Sequence, residues 1–152
     1  MARWLVHPKA KASCGFPAAV AAAGTAHATT KWRRCRFGAS TGAAAAVSAA
    51  ARQGRGIRAV VCRGGRPDLA PAQDLARVQC PTLLLVGRRD AQVLALNRRA
   101  ASHLHATKVL TVVPGATHLC EEPGTLETVA GLAADWFAQH LLAARALVSG
   151  AQ

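Results

Sequence analysis

Carboxylates are missing from the first 67 residues of this 152-residue chain. That stretch holds twelve Lys/Arg, while residues 68–152 hold seven Lys/Arg and seven Asp/Glu, so the net charge of +12 belongs wholly to the first part. Soluble domains normally mix both signs over their surface, and an acid-free stretch of this length departs from that pattern. Aromatics are also scarce at 4%, and alanine inflates a hydrophobic fraction of 51%, so the chain can build one domain around one modest core. No run of about 18 strongly apolar residues occurs, which excludes a membrane-spanning helix. The five cysteines (Cys14, Cys35, Cys62, Cys80 and Cys120) are odd in number, scattered and free of any C-x-x-C. They read as reduced thiols of a cytoplasmic protein, neither a disulfide framework nor a zinc site. A basic start (Arg3, Lys9, Lys11) and the A-x-A at Ala26-His27-Ala28 suggest a targeting segment, but Gly15, Pro17 and Gly24 interrupt the stretch between them, which lacks bulk. A non-native or degraded segment fits residues 1–36 better.

From residue 36 onward apolar runs alternate regularly with helical patterns. Arg34–Phe37 reads as the end of a strand, Thr41–Arg52 as a helix of small residues stopped by Gly54 and Gly56, and Ile57–Cys62 as a buried β-branched strand. A turn-rich loop leads to a brief helix, Ala72–Val78, and a second buried strand, Thr82–Val86. The next helix, about 91–105, places Val93, Leu96, Ala100, Ala101 and Leu104 on one face. Lys108–Val113 reads as a strand and Pro114–Glu122 as a loop. A final helix, about 125–143, is expected to bury Leu126, Val129, Leu132, Ala133, Trp136, Phe137 and Leu141, with Thr125 as its cap. Strands and helices alternating over short connections predict an α/β fold with a parallel sheet and flanking helices.

Three residues stand at predicted strand ends, where parallel sheets gather their ligands. Ser40 lies in Gly38-Ala39-Ser40-Thr41-Gly42, a G-x-S-x-G at a strand-to-helix turn. Such a turn presents a hydroxyl outward and aims the next amide, that of Thr41, at a developing oxyanion. Asp90 ends the loop after Thr82–Val86, and His118 lies in the loop after Lys108–Val113. A serine hydroxyl becomes a nucleophile when a base takes its proton and a third group orients that base. The chain order Ser…Asp…His is the one expected with such an elbow. Each residue alone has a plainer alternative: Ser40 and Asp90 as helix N-caps, His118 as a polar loop residue. Glu121 and Glu122 could neighbour His118, although a loop or helix-start role suits them better. His103 and His105 are two apart on a helix, share no face and make no joint metal site.

Residues Phe37 to Leu142, 106 of the 152, resemble the C-terminal half of α/β-hydrolases. The likeness is to dienelactone-hydrolase-like members, including hydrolase domains fused to phosphoribosyltransferases. FGASTGAAAA is similar to their nucleophile elbow, AVVCRGGRPDLA to the strand and loop that follow, PTLLLVGRRD to the strand delivering the acid, and VPGATHLCEEPG to the histidine loop. The resemblance implies Ser40 as nucleophile, His118 as base, Asp90 as orienting acid and Thr41 as oxyanion donor. It implies hydrolysis of a small ester, lactone or thioester, with no metal and no organic cofactor. Dienelactone hydrolase itself carries cysteine at the elbow, so Ser40 points to broader esterase-like chemistry.

Residues 1–36 match neither the strands that precede the elbow in that family nor the loop that supplies a second oxyanion donor. The expectation is therefore a truncated or frame-shifted member lacking the first strands, with 37–145 as the hydrolase part and 146–152 as a tail. Its elbow strand would be an exposed edge that invites self-association, and loss of one oxyanion donor would cost about 10²–10³ in turnover. A non-catalytic, partner-dependent fragment is the rival reading. Lys31-Trp32-Arg33-Arg34-Cys35-Arg36 interleaves cations with an aromatic. One short cluster supports nonspecific polyanion binding and no specific nucleic-acid function.

Overall fold

The computed structural model describes residues 34–149, with side chains through Leu141. The readings made on residues 1–33, a targeting or non-native segment and the first half of the basic cluster, lie outside the described residues. Four strands, β1 (Arg34–Ala39), β2 (Ile57–Arg63), β3 (Thr82–Gly87) and β4 (Lys108–Val113), alternate with helices α1 (Gly42–Gln53), α2 (Ala72–Arg77), α3 (Ala91–His103) and α4 (Thr125–Ser149). All pairings are parallel and the strands lie in chain order, β1-β2-β3-β4. The chain is an α/β protein with a parallel sheet flanked by helices.

This order decides which face each helix covers. Right-handed crossovers between strands added in one direction bring the connecting helices to the same side. Accordingly Val60, Cys62, Leu84 and Val86 share one core with Ala43, Val47 and Ala50 of α1, Leu75 of α2 and Val93 and Ala100 of α3. Their neighbours in the strands, Val61, Leu83 and Leu85, point to the other face and pack with Val129 and Ala133 of α4. The alternation within V-V-C and L-L-L-V thus feeds two cores at once, which is why these strands read as continuous apolar runs. Alanines on α1 let that helix approach β1 and β2 closely. Its last turn stops at Gly54, which takes φ +50 and returns its N–H to the Ala50 carbonyl.

Three expectations need correction. Leu126 is 54% exposed, so the buried face of α4 starts at Val129. Thr125 does not cap α4; its hydroxyl donates to the Glu122 carbonyl at 2.7 Å, bracing the turn that enters the helix. The last helix also runs to Ser149, beyond the end expected at 143. On the α4 side of β1, Phe37 is 53% exposed, because α4 packs over β2, β3 and β4.

Leu84 is fully buried between β-strand neighbours and helices, whereas Leu126 stands in solvent. In equilibrium denaturation Leu84→Ala should cost about 2–5 kcal/mol, and Leu126→Ala should stay within about 0.5 kcal/mol of wild type.

Candidate active site

The β1–α1 turn brings Ser40 to the carboxyl end of the sheet. The strand must reverse into a helix within two residues, and Ser40 takes φ +50 to do so. A non-glycine residue there stores about 1–3 kcal/mol of backbone strain. Three backbone bonds hold it: the Ser40 N–H donates to the Arg63 carbonyl at 3.3 Å, and its carbonyl accepts from the Arg66 N–H at 2.9 Å and the Ala43 N–H at 3.2 Å. The two glycines of the motif differ in necessity. A Cβ on Gly38 would come within 2.5 Å of the Gly42 carbonyl oxygen and 2.7 Å of Ala43 Cα, so the helix can fold back over the strand only if that position is bare. Nothing lies within 4 Å of a Cβ built on Gly42. Thr41 precedes the helix with no side-chain cap bond, and no hydrogen bond among the described residues uses its N–H. That amide is a free donor at a helix N-terminus.

Asp90 makes two bonds, one with each carboxylate oxygen. One carboxylate oxygen, Oδ1, accepts the Val93 N–H at 3.2 Å and caps α3. The other, Oδ2, lies 2.6 Å from His118 Nδ1. With a carboxylate on Nδ1, the neutral imidazole carries its proton there and keeps a lone pair on Nε2. Asp90 is only 13% exposed at the side chain while His118 is 40% exposed, so the acid is enclosed and the imidazole faces outward.

The two loops that supply this pair are bound to each other. Arg88 N–H donates to the Val113 carbonyl at 2.9 Å and Arg89 N–H to the Ala116 carbonyl at 3.0 Å. Gly87 permits this, since a Cβ there would stand 2.5 Å from the Thr117 carbonyl oxygen. Glu122 secures the far side: both carboxylate oxygens accept the Thr117 N–H at 3.1 Å, and that bond holds the Glu122 carboxyl below its ordinary pKa. It braces the loop one residue before His118, in keeping with the loop role read from the sequence.

Between serine and histidine runs the turn after β2. A Cβ on Gly64, whose φ is +49, would lie 3.8 Å from His118 Cε1 and Nδ1, and one on Gly65 would lie 3.6 Å from the Ser40 carbonyl oxygen. Ser40 and His118 therefore flank the same Gly64–Gly65 segment. No hydrogen bond among the described residues joins the Ser40 hydroxyl to His118. The structure joins Asp90 to His118 directly and reaches Ser40 through this turn. Arg66 and Asp68 clamp the turn with a two-pronged ion pair at 2.9 Å, which holds the Asp68 carboxyl below its ordinary pKa.

Two of the buried thiols are held in the protonated form. Burial pushes Cys62 up to about 12 and Cys80 up to about 11, which keeps both protonated. Among the described residues no group of three or more His, Cys, Asp or Glu could hold a metal ion, and no helix is long and apolar enough to cross a membrane.

Known proteins share this frame. The chain superposes on dienelactone hydrolase from Anabaena variabilis ATCC 29413 with a TM-score of 0.68 and 50% identity, covering 70% of this chain and 49% of that one. A "predicted CIB-like hydrolase" from Thermoplasma acidophilum gives a TM-score of 0.55 at 24% identity, covering 66% and 50% of the respective chains, a likeness of fold alone. The fold is that of the α/β-hydrolase superfamily. In sequence the chain is 63% identical over 105 residues to two Mycobacterium tuberculosis proteins, from strains CDC 1551 / Oshkosh and ATCC 25618 / H37Rv, each called "Putative phosphoribosyl transferase". The aligned part is 69% of this chain and 24% of each relative, so the chain spans about a quarter of the length of these curated relatives. No protein-family model matches it.

The Asp68 pair gives this site an acid limit. A carboxyl whose pKa falls on folding contributes stability above its unfolded value of about 4 and loses it as the pH drops through the depressed folded value. Arg66 is about a third exposed at the side chain, so solvent screening keeps the contribution of the pair small. Asp68→Asn should be slightly less stable than wild type at pH 7, and the two denaturation curves should converge once the pH falls below the depressed folded pKa of Asp68, itself under about 4.

Proposed function

We propose that this chain is a serine hydrolase of the acyl-transfer type, acting on a small carboxylic ester, lactone or thioester. One observation carries the reading: an imidazole held at Nδ1 by a largely enclosed carboxylate, across a two-glycine turn from a serine at φ +50 on a strand-to-helix elbow. The likeness to a dienelactone hydrolase at 50% identity supports the same class.

In this mechanism His118 Nε2 removes the proton from Ser40 Oγ as that oxygen attacks the substrate carbonyl carbon. The carbonyl π electrons move to oxygen, and the Thr41 N–H at the start of α1 receives the resulting oxyanion. Collapse breaks the bond to the alcohol, enol or thiol, which leaves with the proton from His118. Water, deprotonated by the same nitrogen, then attacks the acyl-serine and frees the carboxylic acid and the Ser40 hydroxyl. Asp90 stays ionised throughout, fixing the tautomer and facing the imidazolium when it forms. Thr41 is one oxyanion donor, and a site working with one donor in place of two turns over about 10²–10³ more slowly. Reduced thiols at Cys35, Cys62, Cys80 and Cys120 fit a cytoplasmic setting.

The name carried by the mycobacterial relatives gives a second reading, phosphoribosyl transfer, supported by the 63% identity over 105 residues. Release of pyrophosphate from phosphoribosyl pyrophosphate on addition of a nucleobase would favour it over acyl transfer.

A fluorophosphonate probe tests the first reading. Wild type should be labelled on the peptide containing Ser40, and Ser40→Ala should not be labelled. Asp90→Asn separates two roles, because asparagine caps a helix about as well as aspartate but cannot hold the imidazole in the same tautomer. Its melting temperature should stay near wild type while the labelling rate falls by about 10³–10⁴. Labelling unchanged in Ser40→Ala, or a wild-type chain that is folded and inert, would contradict the proposal.

A further inference from the structure

Among the described residues Asn97 is the one fully buried amide side chain, and the proposed mechanism gives it no task. It lies on α3, one helical turn from Val93, and is 0% exposed. Its Nδ2 donates twice, to the Gly65 carbonyl and to the Val93 carbonyl, both at 2.8 Å. An amide nitrogen has two protons, so its donor capacity is used up. Its Oδ1 is buried with no partner. Two carbonyls at the same nitrogen fix which end of the amide is which, since the flipped group would set oxygen against oxygen. A buried unsatisfied acceptor costs about 1–3 kcal/mol. A residue kept only for packing would not carry that cost, so the two donated bonds are the reason for its presence.

Those bonds join both halves of the proposed catalytic group. The Gly65–Arg66 peptide is held on its carbonyl side by Asn97 and on its N–H side by the Ser40 carbonyl at 2.9 Å. On the other side, the Val93 carbonyl accepts from Asn97 while the Val93 N–H donates to Asp90 Oδ1, whose Oδ2 holds His118. A continuous hydrogen-bonded path thus runs from His118 through Asp90, the Val93 peptides, Asn97 and the Gly65–Arg66 peptide to the strained backbone of Ser40. Every link is short-range and the middle is solvent-free. Gly64, next in this turn, also lies against the carbonyl and ring of His118.

We propose that Asn97 is a positioning residue: by holding the Gly65–Arg66 peptide to α3 it sets the Ser40 elbow in register with the Asp90–His118 pair. This deepens the serine-hydrolase reading and rests on it for its effect on rate, although the structural link can be measured without any activity. Asn97 touches no substrate. Removing it leaves all three catalytic side chains in place but frees the turn that fixes their spacing, and a misplacement of about 1 Å at reacting atoms can cost about 10²-fold in rate.

Asn97→Leu is the informative variant, since leucine is close in volume, cannot donate and removes the orphaned oxygen. Leu104→Ala, in the same core at the far end of α3, serves as a control that destabilises without touching the path. Asn97→Ala, which cannot overpack, is read in the same way if the leucine does not fit. Two quantities are measured well below every melting temperature: hydrogen exchange of the Arg66 amide, and the rate of fluorophosphonate labelling of Ser40. Asn97→Leu should keep a melting temperature near wild type, lose Arg66 protection about tenfold or more, and label about 10- to 100-fold more slowly. Leu104→Ala should melt earlier yet label within about twofold of wild type at equal folded fraction. An Asn97→Leu chain with wild-type exchange and a wild-type labelling rate would overturn the proposal, as would slowing of equal size in Leu104→Ala. A wild-type chain that never labels would refute the hydrolase reading instead. Arg66 exchange alone would then decide for Asn97, with lost protection supporting the link and unchanged protection overturning it.

Discussion

The Asp90 carboxylate has two oxygens and two obligations, and the arrangement at this end of the sheet depends on its meeting both. Oδ1 satisfies an orphan N–H in the first turn of α3, and Oδ2 holds His118 Nδ1. The cap fixes the plane of the carboxylate, so the imidazole meets an acceptor that does not rotate. A free aspartate on a loop would lose side-chain entropy to make the same bond. Low exposure of the carboxylate also strengthens its bond to the imidazole.

Topology explains why three distant stretches of sequence meet there. Strands added in chain order place every β-to-α turn at one edge of the sheet, and helices α1, α2 and α3 on one face. The serine turn, the glycine turn and the aspartate turn follow β1, β2 and β3, and the histidine loop follows β4. Glycine does different work at each. Gly38 lets a helix return over its own strand, Gly87 lets two loops touch, and Gly64 turns against the histidine. Crowding of backbone on backbone gives a site whose spacing is set by peptide groups, which move less than long side chains.

The strands were readable because V-V-C and L-L-L-V have no polar gap, and in a sheet buried on both faces none is needed. The candidate residues were readable because the elbow motif and the positions after strands have a shared physical logic. Asn97 was missed for an equally physical reason. A polar residue inside an apolar helical face looks like a break in the pattern, and only its alignment with Val93 and Ala101 hinted that it lay inward. What it bonds is 32 residues away in sequence, at Gly65, where local pattern carries no trace. Leu126 and Thr125 misled through the same locality. Their helical periodicity was sound, but α4 meets the sheet only from Val129, and the Thr125 hydroxyl found the Glu122 carbonyl before any helix amide.

The account stands on Ser40, His118 and Thr41 acting on one reacting centre. A crystal structure of the chain after reaction with a fluorophosphonate tests that most directly. The account predicts phosphorus on Ser40 Oγ, a phosphonyl oxygen on the Thr41 N–H, and His118 Nε2 facing the modified oxygen with Nδ1 still on Asp90. Phosphorus on any other residue, no adduct at all, or an adduct at Ser40 with His118 turned away would contradict it.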